Sequence, residues 1–206
     1  VSPARLVVLA SGGGRTLENL QQRIVDGRLD ARIVLVVVPR ADLGAAERAQ
    51  RLGLSLLVIG KHSQPDPERR ERLLQQAVLE ARPDWVVLAG WLSLFAIPPQ
   101  LEGRVLNIHP ALLPDFGGKG YYGRRVHEAV ASSGLAYSGC TVHFADAAYD
   151  RGPVVLQSAV LLAMEDDADA IAAKVFAAEI EAFPEALAHL IAGRAQWVDG
   201  AVHWTA

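Results

Sequence analysis

The chain has 206 residues, 51% of them hydrophobic, and a formal net charge of −3 from 20 basic and 23 acidic side chains. That length suits one core with at most a small appended element, and the charge balance excludes a general nucleic-acid footprint while leaving room for a local anion site. Cys140 is the only cysteine, which excludes an intramolecular disulfide. The start of the chain carries no long apolar signal core or bilayer-length run, so a cytoplasmic setting away from membranes is expected.

In chain order, Leu6 to Ala10 reads as a buried strand and Ser11-Gly12-Gly13-Gly14-Arg15 as a loop. Thr16 is placed to cap a helix whose apolar face is Leu17, Leu20 and Ile24. A wholly apolar strand follows over Ile33 to Val38, then a short helix over Leu43 to Arg51 and a third strand over Leu54 to Ile59. Asp66-Pro67 is a helix start, a capping carboxylate followed by proline at the first helical position, and the helix runs to about Ala81. Trp85 to Ala89 and Val105 to Ile108 are the next strands, and Gly123 to Ser132 is helical. Apolar strands separated by helices predict an α/β fold with a predominantly parallel central sheet and helices on both faces.

The pattern changes near residue 110. Gly139 to Phe144 and Val154 to Leu161 are strands with no helix between them, which predicts mixed polarity at that end of the sheet. A long helix runs from about Asp169 to Ile191, with Ile171, Val175, Phe183, Leu187 and Leu190 as core candidates and Pro184 expected to bend or interrupt it. Asp199-Gly200 predicts a tight hairpin between Gln196-Trp197 and Val202-His203-Trp204. No repeat or long linker divides the chain, so 1–206 reads as a single domain with halves meeting at about residue 110.

Four segments carry candidate chemistry. Asn107 and His109 lie two apart on a strand and share one side of it. The amide can donate to a carbonyl oxygen becoming negative, and the imidazole can do the same or move a proton near neutral pH. Asp150 can accept a proton directly or through water. Taken singly, each also fits an ordinary role: a turn amide, a buried histidine, a turn aspartate. His143 shares a strand face with Thr141 and could act directly or behind the reacting groups. Ser11 to Gly14, at the end of the first strand, suits either a phosphate cradle or plain turn geometry. No close pair of metal ligands appears, and Cys140 sits in an apolar strand without a local activator.

Read together, these segments resemble the phosphoribosylglycinamide formyltransferases of the folate-dependent formyltransferase family. The resemblance covers nearly the whole chain. It rests on Ser11-Gly12-Gly13-Gly14, Val87-Leu88-Ala89-Gly90-Trp91, Asn107-Ile108-His109-Pro110-Ala111-Leu112-Leu113-Pro114, Thr141-Val142-His143-Phe144 and Asp150-Arg151-Gly152-Pro153-Val154-Val155-Leu156-Gln157, in that order. It implies a Rossmann-like formyltransferase fold, with a nucleotide-substrate half (about 1–110) and a folate-side half (about 111–206). It also implies transfer of a formyl group from 10-formyltetrahydrofolate, as cosubstrate and without a metal, to the amine of glycinamide ribonucleotide. Asn107, His109 and Asp150 then match the catalytic trio, with Asp150 keeping His109 charged. Gly13, Gly14, Arg15 and Thr16 match the substrate-phosphate loop, and Glu179 the carboxylate on the ribose side. Trp91, Leu92, Ser93, Leu94, Phe95, Ala145, Asp146, Ala147 and Tyr149 match the folate pocket. Thr141, His143 and Lys119 are possible supporting residues.

Ser93 stands where many members carry arginine, and Phe116 to Gly123 replaces the more common substrate loop. Substrate choice is therefore the open point. A formyltransferase for another amine, such as a sugar nucleotide, and an inactive folate-binding relative remain the alternatives, as do monomer and homodimer.

Overall fold

The computed structural model describes residues 2–205. Among them are nine strands and five α-helices, and the chain forms two compact units divided between Leu106 and Asn107.

The first unit follows an α/β alternation. Strands β1 (Ala4–Leu9), β2 (Ala31–Val38), β3 (Leu56–Val58) and β4 (Trp85–Leu88) lie in the order β3-β2-β1-β4. Every pair among them is parallel. Leu6, Val7, Val8 and Leu9 of β1 are fully buried, as expected of a central parallel strand covered on both faces. The chain goes from β1 outward to β3, then returns to the other side of β1 as β4. That reversal is the topological switch at which open α/β sheets bind ligands, beyond the carboxyl ends of their strands. The glycine loop leaves β1 at this end.

Helices α1 (Arg15–Val25), α2 (Gly44–Arg51) and α3 (Pro67–Glu80) link these strands. Asp66 caps α3 as read, its carboxylate accepting from the Glu68 and Arg69 amides at 2.9 and 3.2 Å. The start of α1 differs from the expectation. Gly14, not Thr16, is the N-cap; it lies in the left-handed region at φ 81° and no side chain caps the helix. The loop must turn sharply there, and a Cβ on Gly14 would meet Ala45 Cα at 2.6 Å. Glycine supplies both the conformation and the space, which leaves Thr16 inside the first turn.

The second unit contains the end of β5 (Val105–His109), then α4 (Arg124–Ser133), β6 (Tyr137–Phe144), β7 (Val154–Leu161) and α5 (Ala168–Ile191). Its strand order is β5-β6-β7, with β6 and β7 antiparallel. That pair supplies the mixed polarity expected of this end. The register jumps from Val142↔Leu156 to His143↔Val154, an irregularity at the histidine itself. Bulges of this kind re-aim side chains beside functional sites.

Ile171, Val175, Phe183, Leu187 and Leu190 of α5 are all buried, as predicted. Pro184 does not interrupt the helix, which continues through it to Ile191. Phe183, Ala186 and Leu187 around it are fully buried, and their burial, at about 1.5–3 kcal/mol for a large apolar side chain, offsets the proline's cost of about 3 kcal/mol. A terminal hairpin joins β8 (Ala195–Val198) to β9 (Ala201–Trp204) through Asp199 (φ 48°) and Gly200 (φ 79°). Both φ values are positive, as a tight two-residue hairpin turn requires.

Candidate active site

The end of β5, the end of β6 and the loop after β6 bring four polar side chains together. Asn107 Nδ2 donates to Asp150 Oδ1 at 3.2 Å and to His143 Nε2 at 3.0 Å. His109 Nδ1 lies 3.4 Å from Asp150 Oδ2. The same carboxylate oxygen accepts from the Gly118 amide at 2.9 Å. The sequence-predicted trio therefore converges on Asp150, and His143, read as acting directly or behind the reacting groups, touches the trio through Asn107.

Local chemistry explains the convergence. Asn107 and His109 alternate on β5 and so share a side. Asp150 sits in a turn at φ 56°, a left-handed conformation that aspartate tolerates better than bulky residues. Gly152 permits that turn, because a Cβ there would lie 1.8 Å from the Phe144 carbonyl oxygen. Thr141 Oγ1 donates to Ala111 O at 2.7 Å and accepts from Leu113 N at 3.0 Å and Gln157 Nε2 at 2.9 Å. It ties the segment after His109 to β6 and β7. Gly118, Gly152 and Gln157 were not singled out as working residues in the sequence. Gly152 and Gln157 belong to a motif segment, and Gly118 to the variant loop Phe116 to Gly123.

The electrostatics differ from the sequence expectation at one point. Burial, the largest influence on Asp150, pushes its carboxyl upward, but opposing influences, the Gly118 amide among them, outweigh it, and the group stays below its ordinary value. It is an anion at neutral pH. His109 is 3% exposed, and burial drives its pKa below the ordinary 6.5 against the raising effects of Asp150 and the Phe116 carbonyl. Asp150 favours the imidazolium, but desolvation prevails. His109 is therefore neutral in the resting protein, with Nε2 donating to Phe116 O at 2.8 Å. Burial also pushes the Cys140 thiol up to about 12, helped by the Glu179 charge, so it is no nucleophile at neutral pH.

The other predicted residues divide between the two units. In the first unit, Gly12 and Gly13 are exposed, and a Cβ on either would meet nothing within 4 Å. Their carbonyls are turned toward α2, accepting from Ala45 N at 3.1 Å and Arg48 Nη1 at 2.6 Å. Arg15 is exposed and Thr16 half-buried at the start of α1. Ser11 N donates to Gly90 O and Ser11 Oγ accepts from Leu92 N, so the segment Trp91–Phe95 borders the glycine loop. Leu92, Ser93 and Leu94 are exposed, Phe95 is buried, and the buried Trp91 Nε1 has no hydrogen-bond partner among the described residues.

In the second unit, Ala145 and Asp146 are half-buried and Ala147 and Tyr149 exposed, in the turn leading to Asp150. Asp146 closes that turn by accepting from Ala148 N at 2.8 Å. Lys119 is exposed, and Glu179 is half-buried on α5 close enough to act on Cys140. Among the described residues no group of three or more His, Cys, Asp or Glu could hold a metal ion, and no helix is long and apolar enough to cross a membrane.

A buried carboxylate bonded to a carboxamide and facing a neutral imidazole can take a proton and stabilise a forming oxyanion. Comparison with known proteins gives the family. The formyl transferase family model matches residues 4–187. A phosphoribosylglycinamide formyltransferase described as chloroplastic, from Arabidopsis thaliana, is 37% identical over 203 residues, covering 96% of this chain and 69% of the relative. A trifunctional purine biosynthetic protein from Drosophila pseudoobscura pseudoobscura is 35% identical over 92% of this chain, which spans 14% of that protein. Glycinamide ribonucleotide transformylase 1 from Symbiobacterium toebii superposes with a TM-score of 0.89 at 32% identity, covering 98% of this chain and 94% of its own. The chain belongs to the formyl transferase family.

Proposed function

We propose that this protein transfers the formyl group of 10-formyltetrahydrofolate to the primary amine of glycinamide ribonucleotide, a step of purine synthesis. The products are N-formylglycinamide ribonucleotide and tetrahydrofolate. The observation that carries this reading is the ionised Asp150 carboxylate bonded to Asn107 and facing neutral His109.

The amine, as the free base, attacks the formyl carbon; a C–N bond forms and the carbonyl electron pair moves to oxygen. Asp150 takes a proton from the attacking nitrogen, directly or through water. Neutral His109 is the second proton acceptor in the cluster. It takes that proton from Asp150, 3.4 Å away, and returns it to the departing folate nitrogen as the oxyanion collapses. The Asn107 amide donates to the oxyanion. One formyl group moves forward and one proton moves back, with no bond to the protein. Such electrostatic help from a preorganised donor is worth about 10²–10³ in rate.

Gly13, Gly14, Arg15 and Thr16 would receive the substrate phosphate, whose negative charge suits backbone amides at a helix N-terminus. Glu179 would meet the ribose. Trp91 to Phe95 and Ala145, Asp146, Ala147 and Tyr149 would receive the folate. By this reading the two halves of the chain take the nucleotide and the folate sides of the reaction. Family likeness supports these assignments, and the open surface of Gly12 and Gly13 supports the phosphate site among them.

The test is an amine panel. Purified protein receives 10-formyltetrahydrofolate with glycinamide ribonucleotide, then with sugar-nucleotide amines, while tetrahydrofolate release is followed. Turnover with glycinamide ribonucleotide is expected. Turnover only with another amine, or folate binding with no turnover on any, overturns the assignment.

A further inference from the structure

One histidine of the cluster has no part in the reaction just described. His143 is 1% exposed, and its protonation pattern follows from its neighbours. A carboxylate only accepts hydrogen bonds. The Asn107 atom 3.2 Å from Asp150 Oδ1 is therefore the amide nitrogen, which fixes the orientation of the carboxamide. The same nitrogen lies 3.0 Å from His143 Nε2, which must then offer a lone pair. The ring proton is on Nδ1 and is donated to the Phe144 carbonyl at 2.8 Å. From Phe144 O through His143 and Asn107 to Asp150, every donor meets an acceptor.

Both amide hydrogens of Asn107 are thus engaged in the resting protein. An oxyanion can gain one only by exchange. The bond to Asp150 is the one the chemistry loosens, because a carboxylate that takes up the amine's proton loses the charge that strengthened it. The bond to His143 has no such release. At 3.6 Å from Asp150 Oδ1, His143 Nε2 is beyond hydrogen-bond reach and acts through Asn107.

We propose that His143 is a positioning residue whose bare Nε2 holds one amide hydrogen of Asn107 throughout the reaction, so that the other can pass from Asp150 to the forming oxyanion. Without that acceptor the carboxamide is free to rotate and to present its oxygen to the developing negative charge. This role rests on the formyl-transfer reading above.

Two measurements test it. Nitrogen NMR of the ¹⁵N-histidine-labelled parent should show His143 protonated at Nδ1 and bare at Nε2. In single turnovers with both substrates saturating, His143→Phe should lower the rate about 100-fold while each substrate's affinity stays within about threefold, and His143→Gln, whose carbonyl can accept from Asn107, should recover about tenfold. A proton on Nε2 overturns the proposal. So does an unchanged rate for His143→Phe, or a His143→Gln no faster than His143→Phe when both melt with the parent. A parent that transfers formyl to no amine removes the reaction and this role with it, whereas an active parent with the wrong tautomer removes only this role.

Discussion

The two regions that carry candidate chemistry are built on opposite plans. The cluster at the ends of β5 and β6 is buried, and its side chains satisfy one another: Asp150 accepts from Asn107 and Gly118, and His143 accepts from Asn107. The glycine loop after β1 is exposed, and Gly12 and Gly13 offer backbone with open space above it. The first plan suits groups whose charges change during a reaction, because low dielectric and fixed dipoles make each change count. The second suits a ligand that arrives already charged and needs only amides and room. Substitutions should therefore cut rate in the cluster and affinity in the loop.

The largest effect is expected at Asp150. Asp150→Asn keeps the shape and tolerates the positive φ but removes the charge, and its single-turnover rate should fall about 10³-fold with folate affinity nearly unchanged. A fall shared between rate and folate affinity would blur the division. His109→Ala should lower the rate about 10²-fold under saturation, since it touches the proton path and not the folate.

Stability separates the regions as well. Gly152→Ala drives a Cβ into the Phe144 carbonyl and should cost about 3 kcal/mol or more in denaturant unfolding. Thr141→Val removes three hydrogen bonds from a fully buried position and should cost about 1–3 kcal/mol. Gly13→Ala should change stability by less than about 0.5 kcal/mol while raising KM for the amine substrate, which would sharpen the contrast.

The pH dependence gives a smaller, signed effect. His109 titrates below its ordinary 6.5 in the folded protein. On acidification the unfolded chain binds that proton first, so stability is full above 6.5 and declines as pH falls toward the folded value. Asp150, whose folded pKa is depressed below 3.8, contributes stability above that pH and loses it at still lower pH, in the same direction. Parent protein should unfold at lower denaturant at about pH 5.5 than at about pH 7.5, and His109→Asn should flatten that difference. The acid limb of kcat/KM should likewise lie below the ordinary histidine value.

Much of this was legible in the sequence. The apolar runs gave every strand of the main sheet, Asp66-Pro67 gave the start of α3, and Asp199-Gly200 gave the terminal hairpin, because each depends on local chemistry. The start of α1 was misread because Gly14's conformation is set by its approach to Ala45, which no local rule reports. Pro184 does not end α5, because burial around it outweighs its local cost. Asn107 and His109 could be paired from strand alternation alone. Their meeting with Asp150 depends on a turn whose geometry only the fold reveals. The direct contact of His143 depends on β6 lying beside β5, which the alternation of Thr141 and His143 does not disclose. The neutral state of His109 was hidden for a similar reason, since burial depth is a property of the packed unit.

The most direct test of the central claim, transfer within this cluster without a protein-bound intermediate, is rapid-quench analysis with a formyl-labelled folate donor and glycinamide ribonucleotide. Label should pass from folate to the ribonucleotide amine with none on the protein, and Asp150→Asn should slow that passage about 10³-fold. Label trapped on the protein, or passage at the parent rate in Asp150→Asn, would contradict it.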